Sequence, residues 1–178
     1  GYDTESEQLE LLTVDGPTHT IVQFALTPDG RTLVATGQLT GDLLIFDVSD
    51  FAEIEQIGTV KVGRQPWHPV ITPAGRYVYL GNKDDHSVSV VDLTTQVVVA
   101  TITGNGLAQP HGSAVSADGK FVYISNRNLN GAYTPAGYDG EGEPVGTVVV
   151  IATKTNSIID VIEVDRYPAG LGTPAGVS

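Results

Sequence analysis

Three histidines, His68, His86 and His111, are the side chains of this chain most suited to ligating a metal. Neutral imidazoles converging from different strands bind copper, zinc or haem iron. A second set lies in the stretch YDGEGEP, where Asp139, Glu141 and Glu143 alternate with glycines. Carboxylates on a flexible loop suit calcium, although the spacing lacks the further bidentate acid of an EF-hand. Tyr133 and Tyr138 stand in the same loop, and Tyr supplies contact area to a partner with few rotors to freeze. With no cysteine, the chain has no disulfide, no zinc-thiolate site and no thiol nucleophile. Neither a Gly-x-Ser-x-Gly elbow nor a phosphate-cradling glycine motif occurs, and Gly104-Asn105-Gly106 reads as an ordinary turn.

The elements that must position these groups come from a repeat. The stretch Gln109 to Asn126, QPHGSAVSADGKFVYISN, has two earlier copies: TIVQFALTPDGRTLVATG from Thr20 and QPWHPVITPAGRYVYLGN from Gln65. Their turn glycines, Gly30, Gly75 and Gly119, step by 45 and 44 residues. Each copy is an apolar run, a tight turn, a basic residue (Arg31, Arg76, Lys120) and an alternating aromatic and β-branched run. That pattern is a β-hairpin whose glycine supplies the positive φ of the turn. A period in the middle forties with several short strands per unit predicts an all-β chain of β-propeller blades, each of four antiparallel strands.

The units resemble the YVTN β-propeller repeats of bacterial and archaeal surface and periplasmic proteins. The resemblance is carried by Pro110-His111-Gly112, Asp118-Gly119, Phe121-Val122-Tyr123-Ile124-Ser125-Asn126 and Val148-Val149-Val150-Ile151. It covers most of the chain and implies an extracellular or periplasmic protein. It speaks to fold more than to function, because propellers host many unrelated activities.

Taken in order, residues 1–17 hold an orphan outer strand (Glu7 to Gly16), 18–63 a first blade and 64–106 a second. Residues 107–166 hold a third blade with an insertion over 127–146, and 167–178 begin a further one. The outer strand of blade one is expected over Ala52 to Val62, by analogy with Gln96 to Thr103 and Ser157 to Asp165, although Glu53 to Gln56 taken alone would pass for helix. About three complete blades plus partial terminal ones cannot close a ring, which needs at least about four. Closure is therefore expected from the rest of a longer chain or from another subunit. The absence of any Met, including an initiator, predicts a trimmed chain.

Counting strand reversals puts His19, Trp67, His68, Asp84, Asp85, His86, His111, Asn126, Arg127 and the insertion on one face of the disc. Because the first strand of a blade is innermost, His68 and His111 should lie near the mouth of the central channel. The resemblance implies one enzyme reading: haem-containing nitrite reductases and copper-containing nitrous oxide reductases, similar in architecture, use inward histidines from propeller blades. Here the ring is irregular, since Trp67 holds the position in blade two that His111 holds in blade three. Lactonase propellers, also similar, would make Arg127 with His111 the pair to test. Asp47 and Asp92 read as structural hydrogen-bonding residues at strand ends.

A formal net charge of −12, with only nine Lys and Arg, argues against nucleic acid and anionic membrane as partners. No run of about 18 apolar residues occurs to insert in a membrane. The expectation is a non-catalytic binding or scaffold module of an exported protein without cofactor, its loop face (Trp67, His68, His86, His111, Arg127, Tyr133, Tyr138) turned to a protein or glycan partner. The alternative is a periplasmic oxidoreductase with copper or haem on His68, His86 and His111. Calcium on Asp139, Glu141 and Glu143 is compatible with either.

Overall fold

The structure is a computed structural model that describes residues 2–3, 8–9, 17–141 and 144–174. Its strands are β1 (Tyr2–Asp3), β2 (Gln8–Leu9), β3 (Ile21–Leu26), β4 (Thr32–Gly37), β5 (Asp42–Asp47), β6 (Glu55–Lys61), β7 (Val70–Ile71), β8 (Tyr77–Asn82), β9 (Ser87–Asp92), β10 (Val97–Ile102), β11 (Pro110–Val115), β12 (Phe121–Asn126), β13 (Gly146–Ala152) and β14 (Ser157–Val164). Twelve of them form three antiparallel meanders, β3-β4-β5-β6, β7-β8-β9-β10 and β11-β12-β13-β14. These are propeller blades one, two and three. β1 and β2 pair with each other, Tyr2 opposite Leu9 and Asp3 opposite Gln8. The rest of the expected strand from Glu7 to Gly16 lies outside the described residues, as do residues 175–178.

The first hairpin of every blade is closed in the same way. Gly30, Gly75 and Gly119 have φ of 73°, 73° and 70°, the left-handed region that glycine enters without a Cβ penalty. Their N–H groups donate to the carbonyls of Thr27, Thr72 and Ser116, each at 2.8 Å. The hydroxyls of those same three residues accept the N–H that opens the next strand, Thr32, Tyr77 and Phe121, at 3.0 to 3.1 Å. A hydroxyl is needed because that donor sits where the ladder has not yet begun.

Alternation within the strands then sets the packing. Val34, Leu43, Ile45 and Val60 of blade one meet Ile71, Val78, Leu80 and Val91 of blade two. The opposite face of blade two, Tyr79, Val88 and Val90, meets Val122, Ile124, Val149 and Ile151 of blade three. Neighbouring strand positions point to opposite faces, so one blade serves both interfaces. Ala35, Leu44, Phe46 and Val48 form a third buried cluster on blade one's other face.

One strand limit differs from expectation. β6 starts at Glu55 rather than Ala52, because Asp50 turns the chain first: its carboxylate accepts the Ala52 N–H and its carbonyl the Glu53 N–H. β7 keeps only Val70 and Ile71, since Pro69 has no N–H to give a ladder.

Candidate functional site

The lead-in to each blade repeats as closely as the turn. Thr20, Gln65 and Gln109 take a left-handed φ of 53°, 51° and 58°, and their carbonyls accept the N–H groups of Gln38, Lys83 and Arg127. Tyr167 has the same φ, 58°, at the corresponding place after blade three. From there the chain lies along β11: Ser125 Oγ donates to the Ala169 carbonyl (3.2 Å), and Thr173 Oγ1 to the Val115 carbonyl (2.7 Å). A side chain on Gly112 would run into the Ala169 carbonyl, so that glycine permits the close approach. The strand-end asparagines hold the connections: Asn82 Oδ1 accepts the Gly63 N–H and Asn126 Oδ1 the Ala108 N–H.

With the backbone equivalent, the side chains carried just inside each lead-in differ. In blade one His19 Nδ1 lies 2.7 Å from Thr40 Oγ1 and 3.5 Å from Asp42 Oδ2, and Asp42 also takes Lys61 at 2.8 Å. In blades two and three, Trp67, His68 and His111 form one cluster. The rings of Trp67 and His111 are 4.2 Å apart between centroids, and those of His68 and His111 5.2 Å, edge to face. Lys83 Nζ stands 5.9 Å from the Trp67 ring, within cation–π range. Arg127 follows β12 and places its charge close enough to His111 to act on it.

Burial sets the charge state of the imidazoles. It lowers the pKa of His68, and it is the largest cause of a lowered pKa at His111, opposed there by the contact to the Ala169 carbonyl and reinforced by the positive charge of Arg127. His111 Nδ1 is 3.1 Å from that carbonyl. A carbonyl only accepts, so Nδ1 carries the proton and Nε2 keeps its lone pair.

His86 is held elsewhere. Its Nδ1 accepts the Gln109 N–H at 2.9 Å and its Nε2 meets the Asn130 side-chain amide at 3.2 Å. The structure thus brings His68 and His111 together without His86. Among the described residues no group of three or more His, Cys, Asp or Glu is arranged to hold a metal. His68 and His111 are thus neighbours, and His86 is not part of their cluster. In the acidic stretch Asp139 Oδ1 accepts the N–H of Glu141 at 2.9 Å, and Glu143 lies outside the described residues.

The insertion is built around a residue that sequence reading passes over. Asn128 is fully buried with φ 53°. Its amide donates to the carbonyls of Tyr133 (2.7 Å) and Val145 (3.0 Å) and accepts the Tyr133 N–H (2.9 Å), tying both ends of the loop to one side chain. Glu163 of β14 holds the next turn, accepting Tyr133 Oη (2.8 Å) and the Ala136 N–H (3.0 Å). Gln109 Oε1 accepts the Leu129 N–H at 2.7 Å. Asn tolerates the left-handed region and bonds its own neighbourhood, which is the only signal the sequence offers for Asn128. Tyr138 sits in the outer turn, its N–H on the Pro135 carbonyl.

Residues 8–115 match the family profile described as lactonase, 7-bladed β-propeller. The chain belongs to this lactonase propeller family. Over 163 residues it is 29% identical to Antigen Lp49 of Leptospira interrogans serogroup Icterohaemorrhagiae serovar copenhageni (strain Fiocruz L1-130), covering 90% of this chain and 32% of that protein. The lactonase-family chain thus spans about a third of the length of that curated relative. Among solved structures it resembles hydrazine synthase of Kuenenia stuttgartiensis with a TM-score of 0.72 and 23% identity, over 92% of this chain and 41% of the other. It also resembles the WD40 repeats of RRP9, with a TM-score of 0.69 and 13% identity, over 89% and 44%. At those identities the likeness is one of fold alone.

Arg64 pairs with Asp85, Arg76 with Asp92, Lys61 with Asp42 and Lys120 with Asp118. Arg31, Lys83, Arg127 and Lys154 make no ion pair among the described residues, and of these Lys83 and Arg127 lie beside the Trp67–His111 cluster.

Proposed function

We propose that this chain contributes three consecutive blades to a lactonase-family propeller and acts as a binding module, presenting the face that carries the 127–146 insertion to a protein or glycan partner. The carrying observation is Asn128: a fully buried side chain bonded to both ends of the loop. A loop tied at Asn128, Glu163, Gln109 and His86 meets a partner with much of its ordering entropy already spent, which is what preorganisation gives an interface. Export to the surface or periplasm agrees with the resemblance to YVTN repeats and with a relative named as an antigen. The remaining blades come from a longer chain or from a second subunit.

The test replaces residues 129–144 by a short Gly-Ser connector in the full-length protein and measures binding to immobilised panels of glycans and extracellular proteins. The reading expects at least tenfold weaker binding of whichever partner the native protein retains, with thermal unfolding unchanged. Binding that survives the exchange would assign the partner surface elsewhere.

A second reading, lactone hydrolysis, is favoured by one observation. His111 keeps a free Nε2 beside Arg127, a base next to a cation able to steady a developing oxyanion. Proton release from glucono-δ-lactone by the full-length protein, lost in both His111→Gln and Arg127→Met, would support it. Release no faster than in buffer would remove it.

A further inference from the structure

Three polar side-chain atoms among the described residues are buried without a hydrogen-bond partner: Trp67 Nε1, Ser113 Oγ and Arg127 Nε. All three belong to the lead-ins and inner hairpins of blades two and three. Ser113 pairs across with Ile124, whose side chain faces blade two, so the serine is directed to that same side. Trp67 packs on His111, and Arg127 acts on His111. Leaving such groups unpaired costs about 1–3 kcal/mol each, and Trp67 and Arg127 share His111 as a neighbour, so these two donors are not a pair that a packed interior keeps without a use.

Their chemistry is one-sided. An indole N–H and a guanidinium N–H donate and cannot accept, and the hydroxyl does either. Lys83 adds a second positive charge 5.9 Å from the Trp67 ring. Neither cation makes an ion pair among the described residues, and unlike Arg31 and Lys154, which are also without one, both stand beside the unpaired indole or carry an unpaired donor themselves. Donors without acceptors and cations without anions define the missing partner as an oxyanion.

We infer that the mouth between blades two and three is a carboxylate-binding site, with Trp67 Nε1 and Arg127 Nε as donors and Lys83 as the flanking charge. A carboxylate suits it better than a phosphate: its two oxygens are acceptors for the two N–H donors, whereas a phosphate brings further oxygens that this small donor set leaves unpaired. The inference rests on the loop-face reading, since it names the group of the partner that this face would take.

The test uses the full-length protein labelled with nitrogen-15, and malonate as the probe, at constant ionic strength set with chloride. The indole N–H resonance of Trp67 is assigned by its loss in Trp67→Phe. The expected result is a saturable downfield shift of that resonance with malonate. Its dissociation constant should rise at least tenfold in Arg127→Met, which keeps the packing stem, and stay unchanged in Arg64→Met, whose arginine is already paired with Asp85. An amide spectrum that keeps its dispersion shows that each variant is folded. The inference is overturned if the resonance does not move, if Arg127→Met responds as the native protein does, or if phosphate binds more tightly than malonate. A loop-exchanged protein that loses its partner but keeps the malonate response supports both readings. Loop-dependent partner binding without a malonate response would overturn the carboxylate site and leave the loop-face reading standing.

Discussion

The two ends of each first hairpin are built from the same three repeats and have had different histories. At the turn end, Gly30, Gly75 and Gly119 share φ within a few degrees, the same carbonyl partner and the same hydroxyl acceptor. At the lead-in end the backbone repeats as faithfully, through Thr20, Gln65, Gln109 and Tyr167. Its side chains do not: His19 sits with an acid, Trp67 stacks on His111, and blade three alone carries an insertion pinned by Asn128. Backbone geometry is what packing of one blade on the next requires, so it recurs at both ends. Chemistry is free to vary only where the side chains face away from that packing.

The comparison breaks first if the core is not the common support. Ile124 is fully buried between blades two and three, and Ile124→Ala should cost about 2–5 kcal/mol in denaturant unfolding. Ile162, 46% exposed on β14, should change stability by less than about 0.5 kcal/mol when cut to Ala. Next comes the loop. Asn128→Ala strands the carbonyls of Tyr133 and Val145 and the Tyr133 N–H, at about 1–3 kcal/mol. The cost should appear as faster proteolysis within 129–141 well before the midpoint of global unfolding moves.

The turn end sharpens the contrast with smaller effects. Alanine at Gly30 meets no atom within 4 Å and pays only for its left-handed backbone, about 1–2 kcal/mol. At Gly119 the same Cβ would also press on Pro73 Cδ at 3.1 Å, so Gly119→Ala should be the worse of the two. A ranking reversed in paired melting curves would mean the turns are not equivalent. The smallest effect is that of pH. His68 and His111 have pKa values below the ordinary 6.5, so the unfolded chain takes up protons first as pH falls. Their contribution is complete above about pH 6.5 and is lost as pH drops towards the folded pKa values. His111→Gln should flatten the stability profile between pH 7 and 5 relative to the native protein.

The hairpins, their turn glycines and the all-β propeller class can be read from the residues, because each is decided by local rules: alternation, a β-branched strand, one position that only glycine accepts. Counting strand reversals predicts that the insertion neighbours the lead-in of its own blade and the His86 turn, and the contacts Leu129 to Gln109 and Asn130 to His86 are of that kind. Distances across the loop face cannot be counted. Nothing in the spacing separates His86, whose two nitrogens are spent on Gln109 and Asn130, from His68 and His111, which meet ring to ring. Asn128 escaped notice for the same reason, because its partners at Tyr133 and Val145 become neighbours only once the loop has turned back. The shortened start of β6 was visible in principle, in the Asp50 that caps the turn before it.

The proposed binding face requires an insertion that is a finished surface before any partner arrives. Hydrogen exchange of the free protein at the Leu129 and Tyr133 amides tests it most directly, since both donate to side chains, Gln109 Oε1 and Asn128 Oδ1. Both should be protected well above the exposed amide of Gly140, and Asn128→Ala should remove the protection at Tyr133. Exchange at the rate of an unstructured chain at both positions in the native protein would contradict it.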